Sequence, residues 1–91
     1  MFRVWGKLIK DNHLLKDTVI CIDDPALTRT KKVYKALDDI CYEFDLSRPV
    51  WLKLNQEDFI KHARTRFTSD NFIEAIEFDH LDFQVIEEDY I

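Results

Sequence analysis

The chain has 91 residues, 46% of them hydrophobic and 13% aromatic, with one glycine and two prolines. That composition excludes a disordered segment and bounds the chain to one domain, residues 1–91, with a single core of modest size. The net charge is −5 but uneven: residues 1–35 balance at +4, residues 36–91 at −9, and Phe67 to Ile91 holds eight acids and no Lys or Arg.

The expectation from this asymmetry is that the two halves neutralise each other across the fold. No apolar run reaches the length of a bilayer span, and the start MFRVWGKLIKDN alternates where a signal peptide would be continuously apolar, so a cytoplasmic protein is expected. Cys21 and Cys41 sit inside apolar patterns without metal-ligand spacing, which predicts reduced, buried thiols.

Residues 2–23 read as a β-hairpin turning at Asp11-Asn12, residue types that tolerate positive φ. A two-residue loop there sets Leu8 against Leu15, Val4 against Val19 and Phe2 against Cys21 on one side, the seat for a helix. The other side pairs Ile9 with Leu14, Lys7 with Lys16, Trp5 with Thr18 and Arg3 with Ile20. Lys7 and Lys16 would repel, and an acid of the C-terminal segment, Glu88 above all, is expected to relieve them.

Asp23-Asp24-Pro25 ends the hairpin, and Thr28 or Thr30 can cap the helix that follows. Within residues 28–46, Val33, Ala36, Leu37, Ile40, Cys41 and Phe44 recur at steps of three and four, an apolar stripe on a long helix. Lys31, Lys32 and Lys35 near its start oppose the helix macrodipole, a placement that stability alone does not favour. Pro49 closes the region, and PVWLKL predicts a short extended segment with Val50, Leu52 and Leu54 on one side.

Asn55 followed by acids predicts a second helix over about 56–65, and Ser69 can cap a further turn. LDFQVIEED alternates Leu81, Phe83 and Val85 against polar residues, a strand at 81–88 beside the hairpin. The predicted class is α+β. The N-terminal hairpin and C-terminal strand form an antiparallel sheet of three or four strands, packed on one long helix, with one or two short helices.

The stretches MFRVWGKLIKDNHLLKDTVICIDD, TRTKKVYKALDDICYEFDLSRPVWLKLNQEDFIKHARTRFTSDNFIE and FDHLDFQVIEEDY resemble a family of small uncharacterised bacterial proteins found chiefly in Firmicutes. The resemblance runs over nearly the whole chain and implies no activity, cofactor or catalytic residue.

The only glycine, Gly6, lies in a predicted strand, so no phosphate-binding glycine loop exists; it marks a bulge or a close backbone approach. His62 with Asp58, and His80 with Asp79 and Asp82, are the candidates for a metal-dependent hydrolase, each short of three ligands. Arg29, Lys31, Lys32 and Lys35, with Arg64 and Arg66, are the candidates for phosphate contact by a nucleic-acid regulator, against an acidic whole.

The preferred reading is a non-enzymatic interaction module, without cofactor, that binds a protein partner or a second copy of itself. Its surface would be the hairpin's outer side: Arg3, Trp5, Lys7, Ile9, Leu14, Lys16 and Ile20, an aromatic and apolar patch with a charged rim.

Overall fold

A computed structural model describes residues 1–88; Asp89, Tyr90 and Ile91, the end of the acidic segment, lie outside the described residues. The elements run β1 (Phe2–Lys10), β2 (His13–Ile22), α1 (Arg29–Glu43), α2 (Lys53–His62), β3 (Arg64–Phe67), a 3-10 turn (Ser69–Asn71) and β4 (His80–Glu87). The strands form one antiparallel sheet of four in the order β2-β1-β4-β3, and both helices pack on the same side of it. The fold is the expected α+β, with β4 inserted between the hairpin and the short strand β3.

The hairpin turns where predicted, with Asp11 at φ 52° and Asn12 at φ 63°, the pair of positive values a type I′ turn requires. Ile9 faces Leu14, as the two-residue loop dictates, but Leu15 then stands unpaired and the register slips by one. Beyond that bulge Lys7 faces Asp17, Val4 faces Ile20 and Phe2 faces Ile22. One extra residue turns the rest of the strand over.

Ile20 and Ile22 therefore join the core side, while Leu15, Val19 and Cys21, expected inside, are exposed. The physical reason is twofold: two isoleucines bury more apolar surface than a valine and a cysteine, and the slip replaces the Lys7–Lys16 repulsion with an aspartate opposite Lys7. The expectation of buried thiols holds for Cys41 alone.

α1 is capped by Thr28, whose hydroxyl accepts from the Lys31 N–H at 3.2 Å. All six residues of the predicted stripe are buried. The helix ends before Pro49, with Asp45 left-handed at φ 57°. The Leu46 N–H donates to the Cys41 carbonyl at 2.8 Å and the Asp45 N–H to the Tyr42 carbonyl at 3.2 Å, the two bonds of a Schellman motif.

Gly6 explains where α1 sits. A Cβ on Gly6 would lie 2.8 Å from Ile40 Cγ2 and 2.9 Å from its Cδ1, so the strand backbone and the helix touch at this point. Phe2, Val4 and Leu8 flank the contact from β1, Phe83 and Leu81 from β4, all buried.

α2 begins three residues earlier than predicted and takes Lys53 and Leu54 out of the expected extended segment, while Leu52 keeps an extended backbone. Asn55 is the reason: instead of capping, it occupies the helix's third position and its Oδ1 accepts from the Leu52 N–H at 3.1 Å. Its Nδ2 donates to Thr65 Oγ1 and the Arg66 carbonyl, each at 2.9 Å, and its Oδ1 also accepts from Asn71 Nδ2 at 2.6 Å. Asn71 in turn donates to the Val50 carbonyl and accepts from the Thr68 N–H.

This buried amide network ties the 50–52 segment, α2, β3 and the 3-10 turn together, and it ends α2 early enough for residues 64–67 to pair with β4. Over it Trp51 packs edge-on against Phe59, Phe67 and Phe83, with ring centroids 5.0 to 6.1 Å apart. The Trp51 indole N–H is buried with no acceptor among the described residues, a cost of about 1–3 kcal/mol.

Candidate functional site

With both helices on one side, the other side of the sheet carries no covering element among the described residues. Alternation decides what it displays: Arg3, Trp5, Lys7 and Ile9 from β1; Leu14, Asp17, Val19 and Cys21 from β2; His80, Asp82, Gln84 and Glu87 from β4; Arg64 and Arg66 from β3. Of the seven residues predicted to form a binding surface, Arg3, Trp5, Lys7, Ile9 and Leu14 meet here. Lys16 and Ile20 do not. The bulge turns both to the helix side, where Lys16 Nζ stands 5.8 Å from the Phe44 ring and Ile20 packs on the core.

At the centre, the Trp5 ring lies beneath Lys7 Nζ at 4.0 Å, and its indole N–H donates to Asp17 Oδ2 at 3.0 Å. Lys7 also reaches the Asp82 carboxylate, 3.6 Å away. Asp82 is buried although it points to the outer face, because the stems of Lys7 and Arg64 close over it.

Arg64 grips Asp82 through two parallel bonds, Nε to Oδ1 at 3.1 Å and Nη2 to Oδ2 at 2.6 Å. Hydrogen bonding to that carboxylate, then its charge, raises the Arg64 pKa. Asp82, not Glu88, is thus the acid that settles Lys7; Glu88 pairs with Arg29.

Arg66 stands next to Arg64 on the same face, opposite Asp82, and is exposed. Its charge, after partial burial, is the second cause that lowers the His80 pKa below its ordinary 6.5. Arg3 pairs with Glu87 at 2.9 Å. Among the described residues the face carries four cations, Arg3, Lys7, Arg64 and Arg66, against three carboxylates, Asp17, Asp82 and Glu87, on a chain whose net charge is −5. Its electrostatic sign is opposite to that of the molecule as a whole.

No protein-family model, curated protein or solved structure matches the chain.

The other candidate groups are placed as follows. In the basic helix start, Arg29 pairs with Glu88 and Lys35 with Asp39 at 3.2 Å, while Lys32 is buried with Nζ 6.0 Å from the Phe2 ring. His62 ends α2 and His80 begins β4, and among the described residues no three His, Cys, Asp or Glu side chains come together as metal ligands. Among the described residues no helix is long and apolar enough to cross a membrane.

Sequence reasoning missed Asp17, Asp82 and the arginine pair as members of the face. Alternation in R-T-R-F, with Thr65 and Phe67 inward, was the available signal, but four residues are too few to separate a strand from a frayed helix end.

Proposed function

We propose that the chain is a non-enzymatic, cytosolic protein-interaction module, and that it docks a protein partner on the helix-free face of its sheet. The partner's contact surface carries carboxylates around an apolar side chain. The observation that carries this reading is the cation cluster beside Trp5: Asp82 fixes Lys7 and Arg64 in place, and Arg66 stands exposed next to Arg64.

Cations held by a buried anchor need little ordering on binding, so less of their attraction is lost to side-chain entropy. Trp5, Val19, Ile9 and Leu14 supply apolar area between the charges, and aromatic residues with arginines are the side chains that most often dominate binding energy. A nucleic-acid backbone is a poorer match. Three carboxylates lie among the four cations, and the remainder of the chain repels phosphate at long range.

The test is selection of peptides from a displayed random library on the folded chain. Recovered peptides are expected to hold Asp or Glu on both sides of an aromatic or aliphatic residue, to shift the Trp5 indole and Arg66 backbone resonances, and to lose binding to Trp5→Ala and Arg66→Glu variants. Peptides without acids, or peptides that shift only α1 and α2 resonances, would overturn the proposal.

A further inference from the structure

The two edges of the sheet are treated very differently. β3 is four residues long, α2 lies alongside it, and the Arg66 carbonyl is occupied by Asn55 Nδ2 at 2.9 Å. β2 is ten residues long and outermost in the sheet; among the described residues its free edge makes no backbone hydrogen bond. Proline, repeated lysines and bulges are the usual means of blunting an edge. From Lys16 to Ile22 there is one lysine, no proline and no second bulge, and Val19 and Cys21 are exposed on the outer face.

We infer that β2 pairs antiparallel with β2 of a second copy of this chain, about a two-fold axis at Val19, making one continuous sheet of eight strands. The axis must stand perpendicular to the sheet, so each residue meets one of the same face. Centring on Val19 sets Val19 against its copy, Asp17 against Cys21 of the second copy, and Thr18 against Ile20. Centring on Asp17 would oppose two aspartates, centring on Ile20 would oppose Asp17 to Asp23, and centring on Thr18 would set Asp17 against Val19.

α1 supplies the argument for a second copy rather than another partner. It runs antiparallel to β2: Thr18 Oγ1 donates to Glu43 near its end at 2.8 Å, while Lys32 near its start lies over Phe2, which pairs with Ile22. Its first half carries Arg29, Lys31, Lys32 and Lys35, and its second half Asp38, Asp39 and Glu43. That order opposes the helix's own dipole.

The same two-fold lays the two α1 helices side by side and antiparallel, so the basic half of each meets the acidic half of the other. The charge pattern that works against an isolated helix is the one an antiparallel copy complements. The seam adjoins the Trp5 site, since Trp5 pairs with Val19 across the hairpin, and dimerisation places two such sites on one continuous face.

Sedimentation of the full chain over a range of concentrations tests this. The expected mass is twice the 11.0 kDa of the chain. Val19→Lys, an exposed substitution opposing two cations across the axis, should raise the dimer dissociation constant at least about tenfold while leaving circular dichroism unchanged. Val19→Cys with Cys21→Ser should form an interchain disulfide under mild oxidation, because opposed residues of an antiparallel pair meet disulfide geometry. Arg66→Glu, on β3 at the opposite edge of the sheet, should leave the mass at the dimer value. A monomer at every concentration, a dimer indifferent to Val19→Lys, or no crosslink at residue 19 would overturn the inference.

Discussion

Gly6→Ala puts a number on how closely α1 rests on the sheet. The added methyl would meet three atoms of one side chain, Ile40 Cγ2, Cδ1 and Cγ1, at 2.8, 2.9 and 3.2 Å, and Ile40 is fully buried with no route of retreat. Overpacking of this kind costs about 1–3 kcal/mol. Replacing glycine by alanine returns about 0.4–1 kcal/mol through the unfolded state, leaving a net loss between about 0 and 2.6 kcal/mol. In a domain of this size each kcal/mol moves the melting temperature by about 4–8 °C, so a fall of several degrees is expected in a thermal melt followed by circular dichroism.

The second arm removes the obstacle. Ile40→Ala alone costs about 2–5 kcal/mol, but in that background the Gly6 methyl enters the vacated space and should be neutral or stabilising. A double-mutant cycle should then give a coupling of about 1–3 kcal/mol. A coupling within error of zero would refute the seating of α1 on β1.

Other consequences can be measured in the same way. Asn55→Ala removes four hydrogen bonds and leaves the Asn71 amide and the Leu52 N–H short of partners, so unfolding by urea should show a loss of about 2–4 kcal/mol. His80 has its pKa lowered, first by burial and then by Arg66, so the folded state prefers the neutral ring and the unfolded state binds more protons. Stability should therefore fall as pH drops through 6.5 toward the folded value, and a His80→Gln variant should lose that part of the slope in melts across this range. Burial, with the nearby Asp38 charge, pushes the Cys41 thiol up to about 11, whereas Cys21 is exposed. A thiol reagent should thus modify Cys21 at once and Cys41 only after denaturant is added.

What could be read from the sequence was what depends on local periodicity. The α1 stripe, its Thr28 cap, the Asp11-Asn12 turn and the alternation of β4 each lie within a short window, and each forms as read. The slip at Leu15 depends on a competition between whole strands. In T-V-I-C-I both alternations are apolar, so either face could be the inner one, and one weak signal pointed to the answer: the Lys7–Lys16 repulsion of the unbulged register is relieved by the slip.

Asn55 was misread for a related reason. An asparagine before acids is an ordinary helix start, and only the presence of Thr65, Arg66 and Asn71 around it makes the third position better. The face itself followed the same division. Trp5 lies opposite α1 as expected, because β1 keeps its predicted alternation, whereas Asp82 becomes a buried anchor only once Arg64 arrives from a strand too short to recognise.

The account rests on Trp5 lying on an outward face that is locally positive in an acidic protein. In a Trp51→Phe variant, which also removes a buried N–H without an acceptor, Trp5 is the only tryptophan, and its fluorescence can be quenched by iodide and by caesium at equal ionic strength. The ratio of iodide to caesium quenching is expected to exceed that of free N-acetyltryptophanamide, since Lys7, Arg64 and Arg66 draw anions to the ring, and the excess should shrink as salt is raised. A ratio at or below that of the free compound, or protection from both ions, would contradict the account.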